Sequence, residues 1–226
     1  MPLMTSWSAL HAAPERWARF PGRVHGERDD AATLTFDDGP DPEGTPAVLE
    51  ALAAEGARAT FFLLGEQLMK APRLGRLIRE GGHEIALHGY AHTPHDELFP
   101  GQARDDLARG LGALEAGTAT RARWFRPPGG LLSEASFGAC EHLALEPVYW
   151  SAWGLDAEAL PAARVAEIAA ADLAAGAIVL LHDSARYTAR PDASATAEAV
   201  HLVAQAARDR GLALVTLGQA VAPEPG

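Results

Sequence analysis

Short apolar segments alternate with helical patterns along most of this 226-residue chain. Each apolar segment has the length of a buried strand, and the helical patterns are bounded by capping residues, prolines or glycines. Strands that alternate with helices form parallel sheets with the helices outside, so this alternation predicts an α/β fold. Six helical patterns separate the seven strand candidates, which are 32–36, 59–64, 84–88, 123–126, 147–153, 177–182 and 212–217.

The number of strands and the length of the chain narrow the choice of architecture. A complete eight-stranded barrel of this kind takes about 250 residues. Seven strands in a shorter chain fit a distorted, incomplete (β/α)7 barrel, and a doubly wound open sheet is the alternative. Because no linker or repeat interrupts the pattern, we expect a single domain over residues 31–226. Residues 1–30 are expected to form an N-terminal extension packed on its outside.

Charge and hydropathy exclude several classes of protein. The net charge is −11 and Lys and Arg do not cluster, so no nucleic-acid partner is expected. No segment approaches the roughly 20 apolar residues of a membrane span. The first residues lack the basic start and long apolar run of a secretory signal, so we expect a cytoplasmic protein. The single cysteine, Cys140, forms no intrachain disulfide, and the sequence does not indicate an oligomeric state.

Ionisable side chains follow five of the seven strand candidates. The carboxyl ends of parallel strands meet at one edge of a sheet or barrel, where functional groups gather. We therefore expect a functional site at that edge. Its candidates are Asp37 and Asp38 after the first strand, His88 and His92 after the third, Arg126 after the fourth, Asp156 after the fifth and His182 at the end of the sixth.

The residues HGYAH predict a metal site. His88 and His92 are four residues apart, a spacing that places two imidazoles on one face of a helical turn. Asp37 and Asp38 can supply a third ligand and a base. Because neighbouring side chains in an extended segment face opposite ways, one carboxylate can bind the metal while the other takes a proton from water. The alternatives are two unrelated loop histidines, and aspartates that only cap the Gly-Pro turn after them. His95 is a weaker candidate for a further ligand.

Two other motifs complete the edge. In RPPGG, Arg126 can hold a carboxylate bidentately and orient a base, and the glycines let backbone N–H groups approach a substrate oxygen. In LLHD, His182 can protonate a leaving group, because its ordinary pKa lies near neutrality. The alternatives are an ordinary loop after a strand and a histidine held by Asp183. Trp153 lies near the same edge, as a core residue or as a wall of the pocket.

Together these motifs resemble one family. TFDDG, HGYAH, RPPGG and LLHD stand in the order and approximate spacing of the NodB-like polysaccharide deacetylases, carbohydrate esterase family four, and the resemblance spans residues 33–217. It implies a metal-dependent hydrolase on a distorted, incomplete barrel that removes N-acetyl or O-acetyl groups from sugars. It also makes residues 31–226 the catalytic domain.

The resemblance assigns a role to each site residue. Zinc is the expected divalent ion, with cobalt, nickel or manganese as alternatives. The implied roles are Asp37 as general base, Asp38, His88 and His92 as metal ligands, Arg126 as the group that orients the base, Gly129 as the backbone N–H donor to the oxyanion, Leu181 in the acyl pocket, His182 as general acid and Asp156 as its partner.

Three departures from the family pattern fall near the pocket. Gly89 stands where Ser or Thr is usual, and Gly129 replaces a common Tyr. In the fourth motif, Trp153 replaces an Asp and Ala157 replaces a Trp. The hydroxyl lost at position 89 is not a metal ligand, so the metal site is expected to survive. The other changes open or reshape the pocket that receives the acyl group and the sugar.

The expected activity is de-N-acetylation, the hydrolysis of a non-peptide C–N bond in an N-acetylated sugar or polysaccharide. An O-acetyl esterase or a small-amide hydrolase on the same site is the first alternative. The second is a non-catalytic carbohydrate-binding relative. That alternative is disfavoured because the base, the ligands and the acid are all present.

Overall fold

Eight short strands form one parallel sheet in the computed structural model, which describes residues 18–221. They are β1 (Ala31–Asp37), β2 (Ala59–Leu63), β3 (Glu84–Leu87), β4 (Trp124–Phe125), β5 (Glu146–Pro147), β6 (Ala152–Trp153), β7 (Ile178–His182) and β8 (Ala213–Leu214). Their order in the sheet is β5-β4-β3-β2-β1-β7-β6, and β8 pairs with the first two residues of β1.

The predicted fifth strand, 147–153, is broken into β5 and β6. β5 pairs with β4 at one edge of the sheet, while β6 pairs with β7 at the opposite edge. Only residues 148–151 separate the two strands, so the sheet must curl until its edges approach. The chain itself, rather than a pair of hydrogen-bonded strands, crosses the remaining gap. This half-barrel confirms the predicted distorted, incomplete barrel in a single domain.

The helices cover the outside of the curled sheet. Among the described residues they are α1 (Gly44–Ala54), α2 (Gly65–Lys70), α3 (Pro72–Glu80), α4 (Pro100–Thr118), α5 (Glu134–Leu143), α6 (Ala162–Ala171), α7 (Ser194–Asp209) and α8 (Leu217–Val221). Both α6 and α1 pack on α7, while α2 and α5 pack on α4. Within residues 18–221, no helix combines the length and the apolar character that a bilayer crossing demands.

The central strand β1 brings Asp37 to the edge of the sheet where the predicted site residues lie. It is buried at every residue, and side chains alternate between its two faces. Leu34 and Phe36 face one side, where Phe36 stacks on Phe61 with ring centroids 5.0 Å apart. Thr35 and Asp37 face the inside of the curl, where both accept hydrogen bonds from Arg126. The alternation therefore delivers Asp37 into the interior at the carboxyl end of the strand.

Two local sequence patterns were misleading. Thr45-Pro46 has the pattern of an N-cap followed by a first-turn proline, but α1 begins at Gly44. The Thr45 hydroxyl instead accepts from the backbone N–H of Asp41 and donates to the buried carboxylate of Asp183 at 2.5 Å. The last predicted strand, 212–217, is only the two residues of β8, and α8 begins at Leu217.

The described part of the predicted N-terminal extension contacts the half-barrel at two places, after β5 and before β7. Arg23 forms a parallel bridge with Val148, and His25 forms an antiparallel bridge with Ala177. The hydroxyl of Tyr149 donates to the carbonyl of Phe20. Residues 1–17 lie outside the described residues, and the division of the chain at residue 30 stays a prediction.

Candidate active site

A pocket opens at the carboxyl ends of β1, β3, β4 and β7. It encloses about 540 Å³ including its open mouth. Side chains predicted from four separate motifs line this pocket. They are Asp37, Asp38, His88, His92, Trp153 and His182. The geometric expectation behind these predictions, that polar groups at several strand ends share one edge, therefore holds in the folded chain.

Asp38, His88 and His92 form a compact cluster. One donor atom from each lies within 4.8 Å of the other two. Asp38 Oδ1 is 3.3 Å from His88 Nε2 and 3.2 Å from His92 Nε2. Burial alone would raise the pKa of Asp38, but the two histidines outweigh it and hold that pKa well below its usual range. Asp38 has φ +77°, in the left-handed region that Asp tolerates better than most residues.

The cluster fits a divalent cation. The carbonyl of Arg126 lies 2.7 Å from His88 Nδ1, so that nitrogen carries a proton and Nε2, which faces Asp38, is the nitrogen left to bind a cation. Asp38 Oδ1 is buried without a hydrogen-bond partner in this structure. A buried carboxylate oxygen in this position is stabilised by positive charge, either from protons on the imidazoles or from a cation bound between the three side chains. Two imidazoles and a carboxylate are common ligands of catalytic zinc and similar ions.

Asp37 is held by a buried arginine. Arg126 Nη1 donates to Asp37 Oδ1 at 2.8 Å and also lies 2.7 Å from the Thr35 hydroxyl, while Nη2 donates to the carbonyl of Tyr149. The guanidinium is fully buried and lies over the ring of Phe62. Burial lowers the pKa of Arg126, and the Asp37 carboxylate opposes that effect. The other carboxylate oxygen, Asp37 Oδ2, is 4.0 Å from His88 Nδ1.

His182 and Asp156 form the second ionic pair of the pocket. His182 Nδ1 is 2.9 Å from Asp156 Oδ1, and the backbone N–H of His182 donates to Asp156 Oδ2. Burial raises the pKa of Asp156, but His182 outweighs it and holds the pKa below its ordinary value. Two residues absent from the predictions also donate to Oδ2, which are Thr196 at 2.7 Å and Arg190 at 3.2 Å.

His95, a weaker candidate for a further metal ligand, instead supports the loop that carries His88 and His92. Asp106, on α4, accepts from the backbone N–H groups of Tyr90 and Ala91, which lie between the two histidine ligands. His95 is fully buried, with Nε2 3.3 Å from Asp106 and Nδ1 3.1 Å from the hydroxyl of Ser136. It supports the loop from beneath and is not part of the donor cluster.

The glycines of RPPGG form one wall of the pocket. Gly129 and Gly130 line it with φ values of +65° and +74°, a conformation that favours glycine. A Cβ added at Gly129 would meet only Leu131 Cδ1, at 4.0 Å. The absence of a side chain at Gly129 therefore leaves open space beside the pocket. That its N–H faces a substrate oxygen stays a prediction.

The prediction that Leu181 lines the pocket is wrong, because the neighbouring Leu180 does so. β7 pairs with β1 so that His182 stands beside Asp37, and the alternation of side chains then directs Leu180 inward and Leu181 outward. Leu181 is fully buried on the helix side, where a Cβ at Gly154 would lie 2.7 Å from its Cδ2. Trp153 does line the pocket, with Trp150 packed edge-on at 5.9 Å.

Comparison with known proteins identifies the family. The family model for polysaccharide deacetylase matches residues 25–148, more than half of the chain. The chain is 36% identical to a chitooligosaccharide deacetylase of Rhizobium leguminosarum bv. phaseoli, over 71% of this chain and 73% of that protein. It is 31% identical to a peptidoglycan-N-acetylglucosamine deacetylase of Bacillus cereus, over 82% of this chain and 85% of the relative.

The fold has solved counterparts. One is a family 4 acetyl xylan esterase from Clostridium thermocellum in complex with a cobalt ion. It is 28% identical, with a TM-score of 0.76, over 84% of this chain and 89% of that one. The sequence matches and the shared half-barrel agree with the resemblance seen in the motifs. The chain therefore belongs to the polysaccharide deacetylase family.

Proposed function

We propose that this chain is a metal-dependent de-N-acetylase of saccharides that contain N-acetylated sugars. One observation carries the proposal: a carboxylate base candidate, a three-residue donor cluster and a histidine paired with a buried carboxylate all line one pocket. The two relatives, a chitooligosaccharide deacetylase and a peptidoglycan-N-acetylglucosamine deacetylase, support this class of substrate.

Asp38, His88 and His92 would hold a divalent ion. When bound, that ion would polarise the acyl carbonyl and make a coordinated water more acidic. Zinc is the preferred choice because His and carboxylate ligands with one open position are typical of catalytic zinc. Cobalt, nickel and manganese are the alternatives, and the cobalt ion in the structure of the Clostridium relative supports a divalent metal.

Asp37 takes the proton in this mechanism. Its Oδ1 is occupied by Arg126, and that bond fixes the orientation of the carboxylate. Its Oδ2 accepts no hydrogen bond among the described residues, so its lone pairs are free to accept a proton from the attacking water. The buried Arg126 keeps the carboxylate in one rotamer, so the base is already oriented before the substrate binds.

His182 delivers a proton to the leaving nitrogen. Because Nδ1 binds Asp156, the opposite ring nitrogen is the one available to the substrate in the pocket. The N–H of Gly129 would stabilise the oxyanion, and Trp153 and Leu180 would contact the acyl group. Asp156 acts through His182 and does not touch the substrate.

Acetate release from chitooligosaccharides tests the proposal. The full chain, loaded with zinc, should release acetate from N-acetylated chitooligosaccharides. A chelator should abolish the activity, and added zinc should restore it. Activity that survives complete metal removal would contradict the proposal. Bound metal with no turnover on any acetylated substrate would favour a non-catalytic carbohydrate-binding relative.

An O-acetyl esterase is the second candidate function. The observation behind it is the shared fold and 28% identity with an acetyl xylan esterase. An ester presents the same carbonyl to the pocket, and its alkoxide leaves more readily than an amine. Acetylated xylan and small acetamides, assayed beside the chitooligosaccharides, distinguish the two functions and the small-amide alternative.

The proposed acid predicts a pH dependence. Burial alone lowers the pKa of His182, but Asp156 outweighs it and raises the pKa to about 9, with further help from Asp38 and Asp37. A bound divalent ion offsets the contribution of Asp38 and Asp37, so activity should fall as the pH rises toward 9. Removing the Asp156 charge in Asp156→Asn should move this alkaline limb to lower pH by about 1–3 units.

The pH profile of kcat/KM measures this shift. Asp172→Asn, the same change on the exposed end of α6, is the matched control and should leave the limb in place. If the alkaline fall in kcat/KM occurs at the same pH in Asp156→Asn as in the natural chain, then His182 is not the acid or Asp156 does not act on it.

A further inference from the structure

Tyr187 lies flat against one of the proposed metal ligands. Its ring and the imidazole of His92 are nearly parallel, with an interplanar angle of 9° and centroids 4.1 Å apart. Tyr187 belongs to the loop between β7 and α7 and also lines the pocket. No motif in the sequence pointed to it.

The two histidine ligands are held in different ways. His88 is buried, and the carbonyl of Arg126 at its Nδ1 fixes both the tautomer and the plane of the ring. The side chain of His92 is 23% exposed, and within residues 18–221 no hydrogen bond reaches its Nδ1. Its ring can therefore rotate unless packing prevents it. The flat contact with Tyr187 is the packing that opposes this rotation.

Tyr187 is itself anchored. Its hydroxyl donates to Glu66 Oε1 at 2.9 Å and accepts from Gln67 Nε2 at 3.3 Å, both on α2. The loop is tied down beyond it, because the N–H of Ala189 donates to the carbonyl of Ala157 at 2.9 Å. Arg190 adds hydrogen bonds to the carbonyls of His182 and Ser184. Because these loop contacts do not involve the hydroxyl, they can hold the ring against His92 when the hydroxyl is removed.

We propose that Tyr187 is a positioning residue for His92 and that its ring, rather than its hydroxyl, sets the affinity of the site for a divalent cation. The inference rests on the proposed metal-dependent function. Because stacking already restricts rotation of the His92 imidazole, little conformational entropy is lost when a cation binds. The cation therefore binds to a nitrogen that is already in position. The same ring forms part of the pocket wall, which places substrate and ligand on one rigid surface.

Zinc titration of the full-length chain tests the inference. Zinc alone is titrated into metal-free protein in competition with a chromophoric chelator, so that affinity is measured without turnover. Tyr187→Leu should weaken zinc binding by about tenfold, the lower end of the effect of losing an orienting partner. Tyr187→Phe, the matched control, keeps the ring and should stay within about twofold of the natural chain. The visible spectrum of bound cobalt should change in the Leu variant and not in the Phe variant.

The outcomes separate this inference from the proposed function. Unchanged zinc affinity in His92→Ala would refute the metal site itself. A large loss in His92→Ala together with normal affinity in Tyr187→Leu would refute only the role of Tyr187. An equal loss in the Phe and Leu variants would assign the effect to the hydroxyl and also overturn the inference. Tyr187 is 38% exposed, so Leu should be tolerated, and Tyr187→Met provides a second non-aromatic variant if it is not.

Discussion

Replacing Asp37 with asparagine should reduce acetate release by at least about 100-fold while the protein keeps its metal. The amide has the shape of the carboxylate, and its oxygen can still accept the hydrogen bond from Arg126 that now holds Oδ1. It cannot accept a proton from water at neutral pH. The measurement pairs kcat on a chitooligosaccharide with the metal content per chain.

The adjacent residue supplies the control. Asp38 offers an oxygen to His88 and His92 and belongs to the donor cluster, so Asp38→Asn should lose metal and activity together. Full activity of Asp37→Asn on a verified substrate would remove Asp37 from the role of base. Loss of metal in Asp37→Asn would instead move it into the ligand set.

Local sequence signals were sufficient to predict most of the site. Each motif lies at a strand end, and a parallel sheet brings such ends to one edge whatever the details of the helices. Side-chain alternation predicted that Asp37 and Asp38 face different ways, and their different partners in the structure agree with it. The strand pattern left open which of the two is the base, and only the family resemblance assigned that role to Asp37.

The supporting residues could not be predicted in this way. Arg190 and Thr196 reach Asp156 from 34 and 40 residues away, and Tyr187 reaches His92 from another strand end. Their positions depend on the path of the loop after β7. The contacts are made by tertiary packing, so no fixed spacing in the sequence predicts them.

The error at Leu181 has a different origin. The position was taken from the family motif, although alternation along β7 was enough to place Leu180 and His182 on the same face. The break in the strand 147–153 was harder to predict from the sequence, because both halves satisfy the strand pattern. Only closure of the half-barrel requires them to pair with opposite edges of the sheet.

Replacing Arg126 with methionine should produce the largest loss of stability, about 3–5 kcal/mol in the free energy of unfolding. The side chain is fully buried, and methionine fills a similar volume while removing the cation. Asp37 would then be a buried carboxylate without its guanidinium partner, and Thr35 and the carbonyl of Tyr149 would lose a donor. Urea denaturation followed by circular dichroism measures the change.

The double variant Asp37→Asn/Arg126→Met distinguishes the charge effect from lost packing. An amide is easier to bury unpaired than a carboxylate, so the double variant should be more stable than Arg126→Met alone, with a coupling energy of about 0.5–3 kcal/mol. It should remain inactive, since the base is absent. Strictly additive losses would show that Arg126 stabilises the fold through its packing on Phe62 and its backbone contact. In that case the ion pair would contribute to orienting the base but not to the stability of the half-barrel.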